Sequence, residues 1–432
     1  MAKWPRTLIP LVIMLILVWG APLSEADPAP GSEGSLEPRL RARELGVVVG
    51  RDQPGPFNAI TDVSGVKVGH VTLIRGHGVL KPGEGPVRTG VTVIVPREDV
   101  WHKKVPAGAF VLNGTGEMAG LAWVAESGFL EYPIALTSTL NLPRVANGVM
   151  SWMIREYPGI GITDDTLTPV VAECDDSRLN DSQGRHVAEA DVIAALDGAV
   201  SGPVAEGNVG AGTGMVSYGF KGGIGTASRR LSEEDGGYTV GVLANANHGR
   251  REELVVAGVP VGLLYKKSQG ARFGATQFGP SAKRGDLFRP ARPASAIWKE
   301  AAHEGGGPQH EGSIIIIVAT DAPLDGRQLR RLAKRAALGL ARTGSTARHG
   351  SGDFMLAFST GNTIPHYPRD RTYVMTHLAD THMNPLFNAT VEATEEAILN
   401  ALTMAETMVG RDSRRIEAIS LSRLRALLAS RE

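Results

Sequence analysis

A chain of 432 residues, 42% hydrophobic and 21% charged, has material for one large or two ordinary domains with a sizeable core. Lys plus Arg and Asp plus Glu number 45 each, so no global field argues for nucleic acid or an acidic surface as partner. The 53 glycines follow no Gly-X-Y period, which excludes a collagen and points to tight turns and close backbone approaches.

The N-terminus opens with Lys3 and Arg6, then an apolar run over 8–19, then small residues with Ser24 and Ala26 placed for cleavage after Ala26. This pattern predicts a signal peptide over 1–26 and a periplasmic or secreted protein without stable membrane association once the signal is removed. The run is too short to be a good membrane span, although an uncleaved anchor is the plainer alternative. The single cysteine, Cys174, excludes an internal disulfide.

Strands are expected at 47–49, 66–73, 91–95 and 109–112, where β-branched runs are broken by turn residues. The fourth ends in Asn113-Gly-Thr-Gly-Glu117, and a helix is expected over 118–125. A strand over 134–137, a helix over 145–156, an apolar strand over 168–174 and a helix over 188–200 follow. The stretch 207–221 reads as Gly-rich and extended, with further strands at 238–244 and 254–264. Residues 266–312 are rich in Gly, Pro, Lys and Arg and read as a long loop or linker. Loops of that length inside a compact domain are usually functional. Directly behind it comes the apolar run 313–320, the pattern of a strand buried on both faces. Asp325 and Gln328 resemble a capping box, and Leu329, Leu332, Ala333, Ala336 and Leu340 share one helical face. A strand over 353–360, a long helix over 384–409 and a last helix carrying Leu421, Leu424 and Leu427 complete the chain. Runs of strands with amphipathic helices favour two sheets between helix layers over a βαβ alternation.

The junction of loop and buried strand, Gly312-Ser313, can carry chemistry. If that bond breaks, Ser313 gains a free α-amine beside its own hydroxyl. An α-amine has a reference pKa of about 7.7–8.0, so part of it is neutral near neutral pH and can take the hydroxyl proton. The same hydroxyl can make the first cut by attacking the Gly312 carbonyl, and a residue without Cβ tolerates the backbone this needs.

The chain resembles the self-processing L-aminopeptidase/D-esterases and β-peptidyl aminopeptidases. The resemblance runs over about 58–409 and rests on ordered segments: Ile60 to His70, Arg88-Thr-Gly-Val-Thr92, Asn113 to Glu117, Gly207 to Gly214, Lys221 to Arg229, Gly312-Ser-Ile-Ile-Ile316, Ala319 to Leu324, Gly350-Ser-Gly-Asp353 and Asn384 to Glu396. It implies a four-layer αββα sandwich of the α/β (α+β) class. It also implies autoproteolysis into an α chain, 27–312, and a β chain, 313–432, with 266–312 as the processing loop. It places the nucleophile on Ser313, a second serine on Ser351, a nearby acid on Asp353 and an oxyanion-stabilising asparagine on Asn247. Glu173 falls where the family keeps an acid that meets the substrate's ammonium. His248 stands where an aromatic residue is more usual, and Asp175 where members tend to have an aromatic residue. Asn113 is either a pocket-lining, substrate-binding residue or part of a plain turn. No metal or cofactor is implied, and a homo-oligomer of α/β units is.

Other motifs read blandly. Gly210-Ala-Gly-Thr-Gly214 lacks the helix a dinucleotide loop needs. His377 and His382 are spaced wrongly for a helical zinc pair. Cys174 reads as a buried strand-end thiol. The expected function is a serine aminopeptidase of the N-terminal nucleophile type acting on short peptides, amides or esters. The alternatives are an acyltransferase performing aminolysis on a similar fold and an inactive periplasmic binding protein.

Overall fold

A computed structural model describes residues 38–270 and 312–429. The expected signal peptide and nearly all of the expected processing loop lie outside the described residues. In chain order the elements are β1 (Lys67–Arg75), β2 (Val87–Val95), β3 (Lys103–Gly114), β4 (Met118–Ala119), α1 (Leu121–Ser127), β5 (Phe129–Leu130), β6 (Ile134–Ser138), α2 (Leu142–Glu156), β7 (Val170–Cys174) and α3 (Glu189–Asp197). Then come β8 (Val216–Ser217), β9 (Phe220–Lys221), β10 (Gly223–Arg230), β11 (Thr239–His248), α4 (Val261–Gly270) and β12 (Gly312–Thr320). The remainder is α5 (Gly326–Arg342), β13 (Gly352–Ser359), β14 (Ile364–Pro365), α6 (Asn384–Thr403), β15 (Met408–Val409), β16 (Arg415–Ile416) and α7 (Leu421–Ala429).

Two mixed sheets organise these elements. The first runs β1-β2-β6-β7-β4, and the second β10-β11-β12-β13-β3-β14 with β5 also on β3. In the second sheet β12 pairs antiparallel with β11 and parallel with β13. Side chains of β12 alternate between two cores, as period-two geometry requires. Ile314, Ile316 and Val318 join Leu329, Leu332 and Ala336 of α5 and Ala393 and Ala397 of α6. Ile315, Ile317 and Ala319 face the other way, into a cluster holding Val91, Val93 and Leu136 of the first sheet. An unbroken apolar run is therefore what this position demands. Helices α2 and α3 pack on β1, β2, β6 and β7, while α5 and α6 pack on β3, β10, β11 and β13.

The capping box on α5 is present: the Asp325 carboxylate accepts from Gln328 N–H at 2.7 Å, and Gln328 Oε1 accepts from Asp325 N–H at 3.2 Å. Close helix-to-strand approach explains some of the glycine. A Cβ on Gly225 of β10 would sit 1.9 Å from the Ala397 carbonyl oxygen of α6.

Four expectations change. Residues 47–49 form no strand, although Val47 and Val49 are buried. The apolar stretch at 254–264 is a Val256–Val259 bridge followed by α4. The long helix ends at Thr403, and Met408 and Val409 belong to β15. Residues 118–119 form a short strand before α1.

Candidate active site

Three neighbouring strands of the second sheet bring their ends to one place. In the β11–β12 ladder Asn247 faces Ser313 and His248 faces Gly312, and across the other edge of β12 Ser313 faces Gly352. Sequence-distant residues thus meet because strand register aligns them. Gly312 has φ +84°, and a Cβ there would lie 2.1 Å from the Asn247 carbonyl oxygen, so only glycine fits before Ser313.

Ser313 is buried, and its Oγ makes no hydrogen bond among the described residues. The fully buried thiol of Cys174, at the end of β7, lies beside it but outside hydrogen-bond geometry. Burial pushes that thiol's pKa up, which keeps it a thiol. Ser351 Oγ donates to Asp353 Oδ1 at 2.7 Å. Burial raises the Asp353 carboxyl to about 6, against the opposing pull of the Ser351 hydroxyl. Its Oδ2 has no partner among the described residues.

Asn247 is held in a defined orientation. Its Oδ1 accepts from Val216 N–H at 2.8 Å, and its Nδ2 donates to the Asp175 carbonyl at 2.9 Å. The amide nitrogen has two protons, so one remains for a developing oxyanion. His248 is buried with both ring nitrogens unpartnered among the described residues, edge-on to Tyr218 at 4.9 Å between centroids. Burial lowers its pKa to about 3, so it is neutral at physiological pH and is no general acid there.

Glu173 enters from β7 of the first sheet. Its Oε1 accepts from Glu117 N–H at 3.0 Å and its Oε2 accepts from the Thr139 hydroxyl. Burial raises its pKa, and those two donors oppose the shift. A cation beside it would recover the charge that burial disfavours.

Ser313, Asn247, Glu173, Asp175, His248 and Gly312 line one open cleft of about 1610 Å³. Ser351 and Asp353 stand behind it: Gly350 lines the cleft, and Ser351 is buried next to it. Asn113 is not on the lining. Its amide donates to the Arg348 carbonyl at 2.5 Å, so it tethers the loop leading to Ser351, while Thr115 and Gly116 reach the cleft. Asp175 turns its carboxylate onto Ser177, accepting from the backbone N–H at 2.8 Å and the hydroxyl at 2.9 Å. His377 lies elsewhere, 3.6 Å from Asp325. Sequence reasoning missed Thr139, which bonds the buried acid, and a set of arginines at the cleft mouth that includes Arg178, Arg251 and Arg414. No local pattern marks these, because they come from separate loops.

The model of peptidase family S58 matches residues 58–416. The chain is 44% identical over 424 residues, covering 98% of this chain and 96% of that protein, to the beta-peptidyl aminopeptidase BapA of Sphingosinicella xenopeptidilytica. Among solved structures, a Burkholderia sp. beta-aminopeptidase is similar with a TM-score of 0.76 and 40% identity, over 90% of this chain and 99% of that one. The L-aminopeptidase D-Ala-esterase/amidase from Ochrobactrum anthropi, described as a variant of the Ntn hydrolase fold, is similar with a TM-score of 0.75 and 39% identity, over 90% and 98%. These relatives do not favour the acyltransferase or the binding-protein alternative. The chain therefore belongs to peptidase family S58, a hydrolase acting as an aminopeptidase with an N-terminal nucleophile.

Proposed function

We propose that the chain cuts itself between Gly312 and Ser313 and then releases N-terminal residues from short peptides, amides or esters. Its relatives are beta-peptidyl aminopeptidases and a beta-aminopeptidase, which brings N-terminal β-amino residues into that range. In the first step Ser313 Oγ attacks the Gly312 carbonyl, the C–N bond breaks, and the Ser313 amine is released as an ester forms. Water hydrolyses the ester, leaving a Gly312 carboxylate. In turnover the Oγ attacks the substrate carbonyl and passes its proton to the Ser313 amine, which returns it to the leaving amine. Water then removes the acyl group. Asn247 donates to the oxyanion, Ser351 and Asp353 orient the hydroxyl and amine, and Glu173 holds the substrate ammonium.

The observation that carries this reading is the register of β11, β12 and β13, which sets Asn247 and Gly352 on either side of Ser313, whose hydroxyl has no hydrogen-bond partner among the described residues. The same reading includes a four-layer αββα sandwich, supported by the helix pairs on the two sheets and the cores on either side of β12. It includes removal of residues 1–26 on export to the periplasm or medium, and assembly of processed units into a homo-oligomer. Intact mass and N-terminal sequencing of the protein beside Ser313→Ala test the cut. Two fragments, the smaller beginning Ser-Ile-Ile-Ile, with an uncut variant lacking activity, are expected. A single uncut and active wild-type chain would remove the free-amine mechanism.

A further inference from the structure

The mouth of the cleft carries charge that this chemistry leaves unused. Arg178 follows β7, Arg251 follows β11, and Arg414 precedes β16, and all three line the cleft that holds Ser313 and Glu173. Arg178 is exposed and makes no ion pair or hydrogen bond among the described residues. Loss of water and, second, the charge of Arg414 lower its pKa, so the two guanidiniums feel one another. Among the described residues the Arg414 guanidinium pairs with Asp412 alone, at 3.8 Å, and that carboxylate is shared with Arg411 at 3.6 Å and with the Leu80 N–H at 2.9 Å. Arg251 is fixed by the Gly219 carbonyl and lies 4.2 Å over the Phe220 ring. Among the described residues, no acid lining the cleft forms an ion pair with these three guanidiniums. Glu173 is buried on its own donors, Asp175 accepts from Ser177, and among the described residues Glu252 forms no ion pair with any of the three.

Gathering like charges costs free energy that a bound anion returns. Guanidinium is also the side chain that best matches a carboxylate. We propose that Arg178, with Arg414 beside it, receives a carboxylate on the leaving half of the substrate, so that the enzyme prefers short peptides with an anionic leaving group. This rests on the reading above, in which Glu173 takes the ammonium and Ser313 attacks between the two charges. The cleft is then matched to a zwitterion, with its acid deep inside and its cations at the mouth. The carboxylate has two sources, the C-terminus of the peptide or an acidic side chain just after the scissile bond.

Three peptides sharing one N-terminal residue test this: a dipeptide free acid, its C-terminal amide, and an amide with an acidic second residue. The wild type should favour the free acid over the plain amide about tenfold in kcat/KM, as expected for one charge-assisted contact, and added salt should shrink that ratio. Arg178→Ala should bring the ratio close to one, Arg178→Glu should invert it, and Arg178→Lys should restore part of it. A gain for the acidic-side-chain amide would extend the acceptor to side chains. No such gain, with the free acid still favoured, would assign it to the terminal carboxylate. A ratio unchanged across wild type, Ala and Glu would overturn the proposal. Turnover that survives Ser313→Ala would instead overturn the reading beneath it, whatever the ratio.

Discussion

The molecule gathers buried polar groups in two places and treats them differently. Behind α6, Arg229 is fully buried and uses every arm: Nη2 donates to Glu396 at 2.7 Å and to the Val49 carbonyl at 2.8 Å, Nη1 to the Ser228 carbonyl at 2.7 Å, and Nε to Glu392 at 3.2 Å. Glu396 also accepts from Arg43 at 2.9 Å and Asn58 at 2.6 Å. At the head of β12, by contrast, Ser313 Oγ, Asp353 Oδ2 and both nitrogens of His248 lack partners among the described residues. A satisfied network rigidifies a core, whereas buried groups left open call for another explanation. The first place is built to hold the fold, and the second keeps its valences for something that arrives.

The contrast can be broken by substitution. The largest effect belongs to the satisfied network. Arg229→Met removes the ion-pair partner of Glu392 and leaves Glu396 to Arg43, and should lower the unfolding free energy by about 3–5 kcal/mol, read from denaturant midpoints. A loss below about 1 kcal/mol would mean that the network is slack. Next, Asn247→Ala should lower kcat by about a hundred- to a thousandfold, with a smaller loss of stability, about 1–2 kcal/mol, from the two partners it releases. Equal losses of stability and rate would make Asn247 structural, and the distinction between the two regions would fail there. The smallest effect concerns Asp353, whose folded pKa of about 6 lies above its ordinary value near 3.8. Above pH 6 the native state holds a buried carboxylate and bears its cost. As pH falls from about 6 to 4 the native form takes up the proton before the unfolded chain does, and that cost disappears. Asp353→Asn should therefore stabilise by about 1–2 kcal/mol at pH 7.5 and by almost nothing at pH 4, read from thermal midpoints. A stabilisation independent of pH would show that the carboxylate's charge is not what burial opposes.

Legibility in the sequence followed the same division. The β12 run, the α5 capping box and the buried Cys174 follow from periodicity and composition, because each satisfies a local rule. The strand β10 was invisible as a strand: Gly223 and Gly225 dilute its pattern, and the reason for Gly225 is α6, which lies far along the chain. The apolar stretch before α4 fits strand or helix equally until neighbours decide. At the site, Ser313 was legible as a residue opening a buried strand. Ser351, Asp353, Asn247 and Glu173 were legible only through resemblance, since strand register in one sheet and, for Glu173, the packing of the other sheet against it bring them together. Asn113, which the sequence left open between pocket and turn, donates its amide to the Arg348 carbonyl.

The strand order of the second sheet has one more implication. Counted against a cut before Ser313, its strands alternate in origin: β10 and β11 come from the first piece, β12 and β13 from the second, β3 from the first and β14 from the second. Neither piece alone completes this second sheet, and each would expose raw strand edges there. If the proposed cut is made, it does least harm after the sheet is woven, when the strands of both pieces are already paired. Under the proposed mechanism the nucleophile is thus armed last, and a misfolded copy stays unarmed. Activity would then carry its own proof of completed assembly.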